Sequence, residues 1–141
     1  MGVRREAREL ALQVLFQKEF SAEIEYQKSL KSFKSSFIFP KETWEYAETL
    51  LDGILQNETA IDGLISSYSK NWTSQRMALV DRNILRIAIF ELSYLDACPP
   101  QKVVVNEAIE ISKKYGGTDS HLFINGILGK IIDDKELDNG P

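Results

Sequence analysis

Apolar side chains recur every three or four residues along most of this chain, a period typical of α-helices. The first such segment runs from Arg4 to Phe20, and its core-facing stripe is predicted to comprise Ala7, Leu10, Ala11 and Val14, with Leu15 at the border. No segment makes a convincing sheet. We therefore predict an all-α fold of about seven helices in one domain, residues 1–141, split near residue 71 into two packed subdomains, about 1–70 and 71–133, with a frayed tail at 134–141.

The segment Val80–Leu92 is apolar on nearly every side and is interrupted mainly by Arg86 and Glu91. A buried parallel strand is the alternative interpretation, because several of its residues are β-branched isoleucines. The length of the segment and the helical spacing of Ile84, Ala88 and Leu92 favour a helix instead. A helix this apolar is usually surrounded by other helices, so we expect it at the centre of the core.

Small and polar residues predict where some helices begin, end or are approached by neighbours. Ser21 is a plausible N-cap for the second helix. Gly116-Gly117 precedes the last helix, where a plain C-cap is the ordinary interpretation and a phosphate-binding loop the functional one. Gly126 and Gly129 each cost the last helix roughly 1 kcal/mol, which predicts that another group approaches their backbone closely.

The first helix carries a second apolar flank beside its core stripe, formed by Leu12, Phe16 and Phe20. One apolar stripe is enough for a helix that packs on a core from one side. The extra flank is therefore either more core or an exposed patch for a partner.

The net charge of −4 over 141 residues is unevenly distributed. Residues 133–141 contribute −3 of it, whereas the first eight residues hold three arginines, Arg4, Arg5 and Arg8, against Glu6. An acidic protein can bind RNA through such a local basic patch, because charges at close range dominate at physiological salt. Contact of three arginines with single-strand phosphates would give a log–log salt slope of roughly −2.

Few residues indicate enzymatic or metal chemistry. The chain has no P-loop, no dinucleotide fingerprint and no recognisable Ser-His-Asp set. Cys98 and His121 are the only residues of their types and make a poor metal site, and carboxylates such as Glu107 and Glu110 are expected to be solvated. We expect no enzyme activity, no cofactor and no metal. We also expect a cytoplasmic location, because no apolar run suggests a signal peptide or membrane span.

Single-stranded RNA favours aromatic platforms beside cations. Tyr68 and Phe123 are candidates for such platforms if they are exposed, although burial is the more common fate of a phenylalanine. His121 follows a helix cap, so it is either an ordinary surface histidine or part of an RNA-binding surface.

Five stretches of the chain, taken together and in order, resemble the NusB family of transcription antitermination factors. They are Arg4-Arg5-Glu6-Ala7-Arg8-Glu9, Ile61-Asp62-Gly63-Leu64-Ile65 with Trp72, Val80-Asp81-Arg82-Asn83-Ile84-Leu85-Arg86-Ile87-Ala88, Val105-Asn106-Glu107-Ala108-Ile109-Glu110-Ile111 and Ser120-His121-Leu122-Phe123-Ile124-Asn125-Gly126-Ile127-Leu128. The resemblance covers nearly the whole chain, from Arg4 to about Ile132.

The resemblance implies two packed bundles of three to four helices and a non-enzymatic RNA-binding factor. Such a factor pairs with NusE, a small-subunit ribosomal protein. The pair binds boxA-type RNA in nascent transcripts and joins other Nus factors on RNA polymerase, which supports ribosomal RNA synthesis. By motif, the RNA-binding residues would be Arg4, Arg5, Arg8, Tyr68, Asp119, His121, Leu122 and Phe123, and the NusE-binding residues Phe16 and Asp81.

Two departures from the family pattern predict weaker RNA binding by this chain alone and greater dependence on its partner. Val3 and Glu6 stand where relatives often carry more positive charge, and Leu122 occupies a position that is commonly Lys or Arg. In isolation, self-association into a homodimer could cover the exposed apolar surface.

Two other functions compete with this interpretation. One is an accessory RNA-binding domain like those at the amino end of some ribosomal RNA methyltransferases. Our expectation that no catalytic domain follows residue 141 counts against this alternative. The other is a helical protein-interaction scaffold with no RNA role.

Overall fold

The computed structural model describes residues 2–21, 25–69 and 77–138, with the backbone alone for residues 136–138. Within these ranges the chain forms seven α-helices and no strand, as predicted. They are α1 (Val3–Phe20), α2 (Tyr26–Ser36), α3 (Lys41–Gln56), α4 (Glu58–Tyr68), α5 (Leu79–Ser93), α6 (Gln101–Tyr115) and α7 (Ser120–Asp138).

Helix α5 lies at the centre of the fold, as its apolar sequence predicted. It packs against α1, α3, α4, α6 and α7. Every residue from Asn83 to Glu91 is buried, including the charged Arg86 and Glu91. A charge buried at this depth is costly unless it is paired, so the surrounding helices must supply its partners.

The remaining helices also contact one another. α1 packs against α2 and α3, α6 packs against α7, and α4 contacts both α3 and α7. The predicted break around Ser69–Ser74 lies mostly outside the described residues, and the division into two subdomains stays a prediction.

Two close-packing predictions for glycines were wrong, because a Cβ built on Gly126 or Gly129 would meet no atom of the described residues within 4 Å beyond the backbone of its own helix. The close approach is instead at Gly53 in α3, where a Cβ would lie 1.9 Å from Cε1 of the Phe90 ring. A second one is at Gly116, where a Cβ would lie 2.6 Å from the Ser120 hydroxyl oxygen. Gly53 therefore lets α3 approach α5, and Gly116 lets the α6–α7 turn close.

Three expectations about helix ends need correction or refinement. Ser21 caps the end of α1 rather than the start of α2: its N–H donates to the Gln17 carbonyl, and Glu25 is the N-cap of α2. Residues 134–138 are helical rather than frayed, because α7 continues to Asp138, while residues 139–141 lie outside the described ranges. Gly116 is the C-cap of α6, as the ordinary interpretation predicted, but in an extended conformation without a positive φ.

Candidate functional site

Arg8, a predicted RNA-binding residue, is buried inside the protein. Its side chain is 3% exposed and faces Glu91, whose side chain is 1% exposed. The guanidinium donates to both Glu91 oxygens, with Nε 2.9 Å from Oε1 and Nη2 2.8 Å from Oε2. A further bond of 3.0 Å joins Nη1 to Glu107. Arg8 thus ties α1 to α5 and α6, and in this conformation it has little surface left for a phosphate.

Arg4 and Arg5 lie nearer the surface. Arg5 is about one-third exposed and donates to Glu107, with Nε 3.0 Å from Oε2. Arg4 is exposed, and its guanidinium carbon lies 4.9 Å from the ring centre of Tyr46, a cation–π distance. Of the three arginines, Arg4 therefore presents its charge most openly to solvent.

The carboxylates around these arginines were not recognised from the sequence. Glu107 was expected to be solvated, and that was wrong, because Arg5 and Arg8 both bind it. Hydrogen bonds from Arg5, together with the two positive charges, lower the pKa of Glu107 despite its partial burial. Burial lowers the pKa of Arg8, but the hydrogen bonds and charge of Glu91 outweigh that effect and raise it above the ordinary value.

Tyr46 of α3 completes the buried group by donating a hydrogen bond from its hydroxyl to Glu91. Burial and this bond to a carboxylate raise the pKa of Tyr46, so the phenol remains protonated. The sequence did carry one signal of this network: Glu91 lies in an apolar helix, where a carboxylate needs partners. Nothing in the sequence pattern identified Arg8 or Tyr46 as those partners.

Arg86 organises a second ionic group nearer the start of α5. Its guanidinium donates to Asp62 of α4 from two nitrogens, each 2.8 Å from a carboxylate oxygen. It also binds Glu19 of α1 and the side chain of Asn83, both at 2.8 Å. This group holds the end of α1 beside the start of α5 and has a structural role.

The predicted residues at the start of α7 form an exposed corner. The Ser120 hydroxyl accepts a 2.9 Å hydrogen bond from the Gly117 N–H, and the Asp119 carbonyl accepts bonds from the N–H groups of Leu122 and Phe123. Leu122 is exposed and His121 half-buried, whereas Phe123 packs partly against the core. The corner therefore offers an apolar tip and an imidazole edge.

Helix α6 connects the arginine group to this corner, and Tyr68 lies elsewhere. Glu107 contacts the arginines, and Tyr115 at the end of α6 lies eight residues further, about 12 Å along a helix axis. The Tyr68 hydroxyl donates to Asp134, which is about 18 Å along α7 from Leu122. Along these helix axes, the corner follows the end of α6 about 12 Å beyond Glu107, and Tyr68 contacts α7 about 18 Å beyond Leu122.

The apolar flank of α1 divides between core and surface. Leu12 is buried, whereas Phe16 is 36% and Phe20 69% exposed. The two rings pack edge-to-face with their centres 5.1 Å apart. They line a groove of about 610 Å³ between α1 and α2, whose other wall includes Lys28 and Ser32. Exposed aromatic pairs of this kind are typical of protein interfaces.

Asp81, the other predicted partner-binding residue, lies in the first turn of α5 and is only 8% exposed. Within the described residues its Oδ1 has no hydrogen-bond partner. Burial raises the pKa of Asp81, and a hydrogen bond from Ser120 opposes part of that rise. Asp81 lies at the same end of the fold as Phe16, because Arg86 joins the end of α1 to the start of α5.

No group of three or more His, Cys, Asp or Glu side chains that could hold a metal ion occurs in residues 2–21, 25–69 and 77–135. None of the helices described above combines the length and apolar character needed to cross a bilayer.

Together these features define a class: an all-α bundle with a basic amino end, an exposed corner before its last helix and an aromatic groove. The NusB family model matches residues 5–133, and the chain belongs to the NusB family.

Individual relatives agree with this assignment. The chain is 46% identical over 131 residues to the transcription antitermination protein NusB of Bdellovibrio bacteriovorus, covering 93% of this chain and 96% of that protein. It is similar to the solved structure of NusB from T. maritima, with a TM-score of 0.79 and 37% identity over 91% of this chain and 89% of the other. A crystal structure of antitermination factors NusB and NusE in complex with double-stranded RNA matches with a TM-score of 0.79 and 26% identity, covering 94% of this chain and 97% of that one.

Proposed function

We propose that this protein is a transcription antitermination factor that pairs with NusE and binds boxA-type RNA in nascent transcripts, supporting ribosomal RNA synthesis. In this role it joins other Nus factors on RNA polymerase in the cytoplasm and catalyses no reaction itself. Family membership supports the antitermination role. The similar NusB structure solved with NusE and RNA supports the two partners.

The observation that carries the proposal is the placement of two different surfaces on one helix. Arg4 is exposed at the amino end of α1, and Phe16 is exposed twelve residues later, about 18 Å along the axis. A rigid helix of this length can hold a polyanion at one end and an apolar protein surface at the other. We assign the Phe16–Phe20 groove, with Asp81 nearby, to NusE.

We assign RNA contact to the amino end of α1 and to the corner before α7. Arg4 and Arg5 supply charge for phosphates, since arginine binds phosphate through its planar fork. His121, Leu122 and Phe123 supply surfaces on which bases can rest, with Asp119 beside them. The burial of Arg8 favours a positioning role, in which it holds Glu107 and thereby orients Arg5. Tyr68 fits this surface only if the RNA continues toward the far end of α7.

The decisive experiment measures binding of a boxA-type single-stranded RNA to this protein with and without NusE. We expect NusE to increase the RNA affinity and Phe16→Asp to abolish that increase while the protein stays folded. Thr49→Asp, which adds the same charge at an exposed position on α3, is the matched control. If NusE binds neither the wild-type protein nor its RNA complex, the proposed function is wrong.

One observation favours a second function, a protein-interaction scaffold without an RNA role: Glu91 neutralises the buried Arg8, and Glu107 neutralises the partly exposed Arg5. A scaffold would bind NusE equally well with and without RNA. It would also show no salt-dependent RNA binding above the level of an unrelated acidic protein.

A further inference from the structure

A second cleft lies beside the arginine group and has no role in the preceding proposal. It has a volume of about 260 Å³ and opens between α1, α2 and the end of α6. Phe33, Phe37 and Phe39 form one wall as a ladder of rings, with centres 6.0 Å and then 6.1 Å apart and planes 26° and 20° from parallel. Tyr115 borders the same cleft. We call this the aromatic cleft.

The polar residues that line the aromatic cleft are Glu6, Glu9, Gln13, Lys114 and Tyr115. Glu6 lines it and accepts one hydrogen bond of 3.3 Å from Thr43. A carboxylate has two oxygens and about four acceptor sites, so Glu6 keeps capacity for another donor. Glu9 also lines the cleft, but it already accepts bonds of 2.6 Å from Lys114 and from the Tyr115 hydroxyl.

A basic recess of about 310 Å³ adjoins the aromatic cleft and shares Glu9 and Lys114 with it. Arg5 and Lys113 line this recess, so three cations face Glu9 and Glu110 there. The arrangement places rings and a carboxylate acceptor on one side of Lys114 and three cationic side chains, each paired with a carboxylate, on the other. An unpaired nucleotide has matching parts, namely a flat base with donor groups and a phosphate.

The volume of the aromatic cleft restricts its occupant. Small-molecule sites usually measure roughly 300–1,000 Å³, so 260 Å³ suits a single base rather than a larger ligand. We propose that the aromatic cleft binds one unpaired base of the RNA, which packs against the exposed half of Phe37 while its amino edge donates to Glu6 and its phosphate lies in the basic recess. This inference rests on the proposed RNA-binding function and adds a base-specific subsite to it.

One feature favours a base over a basic side chain from a protein partner: the cleft continues into the recess that contains Arg5, part of the proposed RNA surface. A carboxylate acceptor further predicts preference for a base with an exocyclic amino group, namely adenine, cytosine or guanine, over uracil.

The test is a binding series with a boxA-type RNA in the presence of NusE, in which each nucleotide in turn is replaced by an abasic one. We expect Phe37→Ala to weaken binding of the intact RNA roughly five- to 150-fold, the range of one base–aromatic stack. The salt slope should be unchanged, because no phosphate contact is lost. Ile38→Ala, at the fully exposed neighbouring position outside the cleft, is the matched control and should bind like wild type.

The abasic series locates the base. With the RNA that lacks the bound base, Phe37→Ala should bind as tightly as wild type. With every other abasic RNA, Phe37→Ala should bind more weakly than wild type by the same factor as with the intact RNA. Glu6→Gln should weaken binding of the intact RNA. The inference is overturned if Phe37→Ala binds all RNAs like wild type, if its loss is equal with every abasic RNA, or if it weakens NusE binding alone. Each of these results leaves the proposed function intact. Failure of the wild-type protein to bind any RNA in the series would instead refute the proposed function and this inference together.

Discussion

Replacing Arg8 by alanine tests whether this arginine is a structural residue or an RNA contact. The change removes the main ionic partner of Glu91, whose side chain is 1% exposed, and leaves a buried carboxylate held only by the Tyr46 hydroxyl. Removing one member of a buried ion pair costs roughly 3–5 kcal/mol. Because the free energy of unfolding of small domains is about 5–15 kcal/mol, Arg8→Ala should lose a large fraction of its stability.

The assay is urea unfolding followed by circular dichroism, with Arg5→Ala as the matched control. Arg5 pairs with Glu107 from a partly exposed position, so its removal should cost no more than about 1 kcal/mol. The double variant Arg8→Met with Glu91→Gln removes both charges and keeps an acceptor for Tyr46. It should recover most of the loss, because a buried pair replaced by neutral groups of similar size is often nearly neutral.

Two results would refute this reasoning. One is a loss for Arg8→Ala no larger than that for Arg5→Ala, and the other is a double variant no more stable than Arg8→Ala. RNA binding provides an independent measurement, made at a temperature where the variants are folded. If only Arg4 and Arg5 contact phosphates, the wild-type salt slope attributable to arginines is roughly −1.4; Arg5→Ala should flatten it by about 0.7, and Arg8→Ala should leave it unchanged.

Three further predictions concern packing, pH and the partner. Gly53→Ala should destabilise the fold by about 1–3 kcal/mol because its Cβ overlaps the Phe90 ring, whereas Gly126→Ala, in open space, should stabilise it by roughly 0.5–1 kcal/mol; equal urea midpoints would contradict this. Burial raises the pKa of Asp81 above its ordinary value of 3.8, so its contribution to stability is present at low pH and is lost as pH rises through the folded pKa. Asp81→Asn should therefore gain stability over wild type at pH 7, with the gain shrinking toward pH 4, and a gain constant with pH would exclude this cause. Phe16→Asp should weaken NusE binding by roughly 30-fold or more in calorimetry and change the unfolding free energy by about 1 kcal/mol or less; unfolding of the variant would instead place Phe16 in the core.

The local pattern of apolar residues was sufficient to predict the helices, because their apolar stripes repeat with the helical period, as in Ala7, Leu10 and Val14 of α1. It was also sufficient for the central position of α5, since a helix that is apolar all round must be surrounded. The family resemblance was confirmed by the match to the family model. It could be recognised from the sequence because its motifs are short local stretches.

The pattern of residues along the sequence failed to predict features that depend on contacts between residues far apart in the chain. Glu107 has the spacing of an ordinary surface carboxylate, yet it binds Arg5 and Arg8, about a hundred residues earlier in the chain. Gly126 and Gly53 look alike in sequence, but only Gly53 faces an aromatic ring of another helix.

The sequence by itself therefore determined the seven helices, the central segment and the residues that carry charge, because these properties depend on neighbours within a turn or two. Only the tertiary structure decided which of those charges meet solvent. Arg4 and Arg8 lie one helical turn apart, yet one is exposed over Tyr46 and the other is buried against Glu91. Residues four apart share one face of a helix, so the difference arises along the axis: Arg4 lies in the first turn of α1, whereas Arg8 lies one turn further in, where Glu91 of α5 and Glu107 of α6 bind it. The sequence of α1 does not record where those partners lie.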